Sequence, residues 1–381
     1  MLASRWTPSA LVLVHAYALG LLGSAMVGSL VQFLPVAAGS PLPGTFLVPA
    51  LHVAFNAGVA LLLAALWRHS PTLAMPAGLL LGGTLATFAC MALVAVARGR
   101  GTRTTRSGIA LALLALLATV ALGVALLAAR TGGIAPRPPG WVDLHALFGI
   151  VGWGIGLLAA VGGITVPMLQ GTRAPPQRAI AAWQALLLAA LLAAAMAQTE
   201  APPAAWWPLL ALPVAAFAMA VLYLQGRSPH RRNPMLRRAW QGGCCALLAG
   251  CVVAGLPDAV LPAPRAVLLG ALVLAIGLPM LVLGMMFEIT GFLAWIELRR
   301  RVPRGMRVPG VGSLFPDAWK RRLLAMHAAA SALLLAAVLF APLSRIAGLA
   351  LGAAYAASLF ALARCWRDGL RFAGARQAGS A

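Results

Sequence analysis

The chain has 381 residues, of which 62% are hydrophobic and only 9% charged, and its mean hydropathy is +0.92. Soluble domains carry about a quarter charged residues, so this composition excludes a water-soluble fold, and the same arithmetic excludes disorder. The net charge of +22, from 29 Lys plus Arg against 7 Asp plus Glu, falls almost entirely between apolar runs. Such charges face a cytoplasmic membrane surface and its anionic headgroups, so nucleic acid is not an expected partner and the lipid bilayer is.

The apolar runs are continuous, about 20 residues long and rich in Ala and Leu, which predicts membrane helices rather than membrane strands. In chain order the spans are predicted at 9–34, 46–67, 72–97, 107–129, 141–169, 178–198, 205–225, 239–257, 263–298, 319–341 and 345–364. Breakers separate them: Pro41-Leu42-Pro43-Gly44, the glycine-bearing Arg98 to Arg106 stretch, Pro136 to Gly140, Pro175-Pro176, Pro202-Pro203 and the basic segment Arg299 to Val311. The expected fold is an all-α polytopic bundle of about eleven spans in one membrane domain, 1–381. The ninth run is kept whole, with Pro279 as a kink site. Alternate connections divide Lys and Arg 23 to 6, which predicts an outer N-terminus and a cytoplasmic C-terminus. Arg5, beside a first loop without basic residues, argues locally for the reverse.

Inside hydrocarbon, polar side chains must find a partner or a function. Four of the six histidines lie in predicted spans: His15, His52, His145 and His327. On the charge-derived topology and a rise of about 1.5 Å per residue, His15 and His145 fall near the outer ends of their helices and His52 and His327 near the inner ends. They form two depth-matched pairs. Neutral imidazole binds haem iron, copper or zinc, and two opposed histidines suffice to clamp a b-type haem. The structural alternative is a hydrogen bond to a neighbouring helix, with Asn56, one turn from His52, as an obvious partner.

His15 precedes Gly20-Leu21-Leu22-Gly23, and His145 precedes Gly149-Ile150-Val151-Gly152. Each Gly-x-x-Gly face admits either a close helix or a flat cofactor. Glu288 is the one acid well inside a span and a candidate for a proton path, with pairing to Gln184 or Gln241 as the structural alternative. Met280, Met285 and Met286 are soft enough for copper but are expected to pack as hydrocarbon. The five cysteines contain no C-x-x-C-H or zinc-like pattern and predict small buried hydrophobes.

The run from His15-Ala16 through Gly20, Gly23, Gly28 and Phe33-Leu34-Pro35 resembles the early helix of the haem-copper oxidase large subunit (subunit I). His145 through Pro167, Met286 to Trp295 and the basic stretch leading to His327 look like uncharacterised bacterial relatives of that subunit. The resemblance implies a bacterial inner-membrane protein whose family core has twelve spans and an inner N-terminus, so eleven spans with an outer N-terminus would fit loss of the first helix. It also implies that His15 stands in the place of a low-spin haem ligand and His145 in that of the first copper-site histidine. The chain departs from the family in having no adjacent His-His pair and no histidine in its ninth run, so oxygen reduction is not expected.

The first functional expectation is therefore a haem- or copper-binding redox membrane protein, with His15 and His145 as outer metal ligands and His52 and His327 as an inner pair. A redox partner or other membrane subunits would accompany it. The rival expectation is a transporter or cofactor-assembly factor whose histidines and Glu288 line a substrate or proton route, and a third is a structural subunit of a larger complex.

Overall fold

The computed structural model describes residues 4–378 apart from 136, 137, 139, 198–206, 231 and 304. Pro136, Pro202-Pro203 and three members of the charge count, Arg137, Arg231 and Arg304, lie outside the described residues. Among those described, the secondary structure is helical without a strand. Eleven long helices follow one another: α1 Pro8–Ala37, α2 Val48–Arg68, α3 Pro71–Arg98, α4 Arg103–Arg130, α5 Gly140–Gln170, α6 Gln177–Ala197, α7 Trp207–Gly226, α8 Pro234–Gly255, α9 Arg265–Arg301, α10 Asp317–Leu339 and α11 Ser344–Ala378. Ten contain a stretch long and apolar enough to cross a membrane. The chain is a polytopic helical membrane protein.

α8 is the helix outside that ten. Its first turns carry Arg237, Arg238 and Gln241, which dilute its hydropathy, yet Leu236, Trp240, Cys244 and Leu247 are buried between α7 and α9. Trp240 donates its indole N–H to the Leu281 carbonyl of α9 at 3.1 Å. A Cβ on Gly243 would stand 2.8 Å from the Gly277 carbonyl oxygen, so glycine sets how closely these two helices approach.

Local chemistry fixes the helix ends. Thr7 caps α1, its hydroxyl accepting from the Ala10 N–H at 3.3 Å, and Pro8 opens the first turn. Pro71 and Pro234 do the same for α3 and α8. α5 stops at Gly171, whose φ of 72° is the left-handed conformation that closes a helix C-terminus.

Three helices contain an eight-residue π-helical segment: Ala16–Gly23 in α1, Phe148–Ile155 in α5 and Gly270–Gly277 in α9. The first follows His15 directly and the second begins three residues after His145, so the two helices share this layout. In α9 the segment ends just before Pro279, which lies in the first turn of the restored α-helix, where its missing N–H costs least. The run is one helix, as its unbroken hydrophobicity predicts.

Successive helices pack as neighbours from α2 to α5 and from α6 to α9, and α11 covers α9 and α10. α1 closes the arrangement by touching α2, α5 and α9. That closure brings the first and fifth helices together at the end where both begin.

Candidate functional site

The His15 and His145 rings meet there. Their centroids are 6.3 Å apart and their planes 26° apart. His15 Nδ1 is 2.8 Å from the Leu11 carbonyl oxygen, one turn back along its own helix. His145 Nδ1 is 2.9 Å from the Thr119 carbonyl oxygen on α4. A carbonyl only accepts, so each Nδ1 carries the proton and each Nε2 keeps its lone pair. Fixing the second nitrogen on a main-chain acceptor is how metal-ligating imidazoles are oriented.

Glycine shapes the seat of the second ring. A Cβ on Gly123 of α4 would lie 2.8 Å from His145 Cε1, so the imidazole occupies a notch that any other residue would fill. Both histidines remain half-buried, and α4 has no fully buried residue beyond Leu116, so the pair sits in a less closely packed part of the bundle. Two imidazoles bound on opposite sides of one metal, with bonds of about 2.0–2.1 Å, set their centroids about 6.3 Å apart. The separation in the structure fits that requirement.

No group of three His, Cys, Asp or Glu residues suited to a metal ion occurs among the described residues. Two imidazoles would leave a copper ion with two protein ligands, whereas a haem brings four nitrogens and asks the protein for the axial positions only. The three methionines pack in or against the hydrophobic core. Met285 is buried in the core, and the Met280 methyl packs 3.7 Å from where a Gly242 Cβ would be.

The Gly-x-x-Gly face of α5 packs a helix. A Cβ on Gly149 would meet Thr119 Cγ2 at 3.1 Å, and one on Gly152 would meet Ala115 Cβ at 2.6 Å, both on α4. In α1, Gly23 receives the Phe55 ring of α2 at 3.3 Å, while Gly20 has nothing within 4 Å.

Just beyond the histidines, Arg5 bonds the Asp143 carboxylate, with its second nitrogen at 3.4 Å. This pair was not anticipated from the sequence. It neutralises the charge that made Arg5 conflict with the overall distribution of basic residues.

His52 and His327 are not brought together. His52 lies on an exposed face of α2, where the Asn56 amide donates to the His52 carbonyl at 2.8 Å and lies 3.3 Å from the ring's Nε2. His327 is buried on α10, with its Nε2 2.9 Å from Ser358 Oγ on α11. Because the Ser358 hydroxyl donates to the Ala354 carbonyl at 2.9 Å, it accepts from His327, whose Nε2 is thereby spent. The Tyr355 ring meets His327 edge-on at 4.8 Å and Tyr17 of α1 at 5.9 Å. Equal depth does not place these two histidines on facing sides of neighbouring helices.

Glu288 pairs with Lys320, both carboxylate oxygens lying 2.8 Å from Nζ, and Asp317 stands 3.3 Å from the same nitrogen. Neither Gln184 nor Gln241 is its partner. Gln184 instead donates to the Thr104 carbonyl at 2.7 Å and accepts from the Ser107 hydroxyl. Lys320, which follows the basic segment after α9, is inside the bundle with its side chain 6% exposed. Its position three residues into α10, after the basic segment, concealed the partner 32 residues away.

No protein-family model matches this chain, and searches of curated proteins and of solved structures likewise return no match.

Proposed function

We propose that this chain is a bacterial inner-membrane redox protein that holds a b-type haem between His15 and His145, related to the oxidase large subunit but without oxygen-reducing activity. Eleven membrane passages, with the N-terminus and the histidine pair on the outer side, belong to the same reading. The observation that carries it is the 6.3 Å approach of two imidazoles from helices 130 residues apart, each with Nδ1 tied to a main-chain carbonyl. Copper is the weaker occupant, because the described residues supply no third ligand.

A haem bound there would supply one-electron transfer. The protein's own part is to keep both Nε2 atoms unprotonated, to hold His145 in the Gly123 notch and to surround the site with hydrocarbon. Glu288 has a smaller part than a proton path would give it, since its carboxylate is already satisfied by Lys320. The test is the haem and copper content of the protein purified from membranes, by pyridine haemochrome assay and elemental analysis. About one b haem per chain is expected. A protein with neither haem nor copper overturns the redox reading and favours the transporter or assembly factor.

A further inference from the structure

The exposed face of α2 raises a separate question, independent of any cofactor. Asn56 lies eleven residues into the 24-residue apolar stretch Thr45–Arg68, at the middle of that stretch, and its side chain is exposed. His52 is exposed one turn away. Among the described residues their hydrogen bonds are local: Asn56 Nδ2 reaches the His52 carbonyl and ring, and Asn56 Oδ1 has no partner there. A carboxamide facing acyl chains at that depth has no water to satisfy it, so a polar face there calls for another protein surface.

The neighbouring face of α1 gives that surface its shape. α1 and α2 run antiparallel, and Gly23 receives the Phe55 ring, which fixes their register. One residue beyond the contact on each helix, Ser24 and Asn56 turn to the same side. Gly20, Ser24 and Gly28 then form a line of small residues beside His52 and Asn56. Gly20 and Gly28 are exposed, with no heavy atom within 4 Å of an added Cβ, and exposed Gln32 continues the line. The spacing small-x-x-x-small-x-x-x-small lets helix backbones approach closely in lipid, and Asn and His supply hydrogen bonds across such contacts.

We infer that this face binds a second copy of the same chain, with the two α1 helices crossing near Ser24 about a two-fold axis along the membrane normal. The hydrogen-bonding groups decide the occupant. Asn56 offers both a donor and an acceptor, and His52 offers one of each, so the face complements its own copy, as a two-fold contact requires. With both chains inserted in the same direction, Asn56 and His52 of each copy flank the crossing at the level of the partner's Gly20 to Gly28.

The experiment uses the full chain in lipid vesicles at decreasing protein-to-lipid ratio, with energy transfer between two fluorescently labelled populations as the measure of dimer. The wild type is expected to dimerise, and Asn56→Leu and Gly28→Ile each to lower dimer affinity about tenfold. Gly348→Ile, at another glycine with open space in α11, is expected to leave it unchanged. A chain that stays monomeric at every density overturns the proposal. So does a dimer indifferent to both α1 and α2 variants, or a photo-crosslinker at position 60 that captures only a different protein in native membranes.

Discussion

The α1–α5 contact and the α9–α11 interface both place histidine within lipid-embedded helices and treat it in opposite ways. At α9–α11 the buried Glu288 and His327 are each consumed by another side chain, Glu288 by Lys320 and His327 by Ser358. At α1–α5 the partners are main-chain carbonyls bonded at Nδ1, and the two rings lie 6.3 Å apart, centroid to centroid. The difference teaches that burial and depth do not identify a ligand. What separates the two regions is the nitrogen that the surroundings leave unspent.

The largest effect should come from breaking the satisfied interface. Lys320→Ala leaves the Glu288 carboxylate without its cation in a site where the two side chains are 9% and 6% exposed, and should cost about 3–5 kcal/mol. The double replacement Glu288→Leu with Lys320→Met should recover most of that loss. Thermal unfolding in detergent measures both, and a single variant as stable as the wild type would show that the pair is not buried in the working protein.

Ser358→Ala removes the acceptor of the His327 N–H and should destabilise by about 1–3 kcal/mol while leaving any haem absorption unchanged. Gly123→Val should differ from it in absorption. Its side chain competes with the His145 ring, so haem content should fall sharply, with a packing cost of about 1–3 kcal/mol. If both variants changed absorption alike, the two regions would not be functionally distinct. Smallest is Arg5→Ala. Asp143 is only one tenth exposed, but Arg5 itself is a third exposed, so water entering in its place should hold the loss to about 1 kcal/mol.

Much of the architecture was legible in the sequence because hydrocarbon thickness dictates run length. The third span, predicted at 72–97, is the helix Pro71–Arg98, and the ninth, predicted at 263–298, is Arg265–Arg301. Hydropathy reports where the membrane ends, not where the helix ends. The last run was therefore predicted to stop at 364, whereas α11 continues to Ala378 through residues such as Arg364 and Asp368, which pair at 3.4 Å one turn apart. The approach of His15 to His145 could be anticipated from matched depth on helices of shared layout. The same logic misplaced His52 with His327, because depth says nothing of which face a residue occupies. The Lys320 partner of Glu288 and the Arg5–Asp143 bond depend on helices distant in sequence and leave no local signal. The π-helical segments are a main-chain hydrogen-bonding pattern that their Gly-rich sequences permit without specifying.

The most direct measurement is the reduced-minus-oxidised visible spectrum of four single variants, His15→Ala, His145→Ala, His52→Ala and His327→Ala, purified alongside the wild type. A b-type band lost in the first two and intact in the last two is the predicted result. A band that survives both His15→Ala and His145→Ala, or one that vanishes in His327→Ala while that variant stays folded, would contradict it.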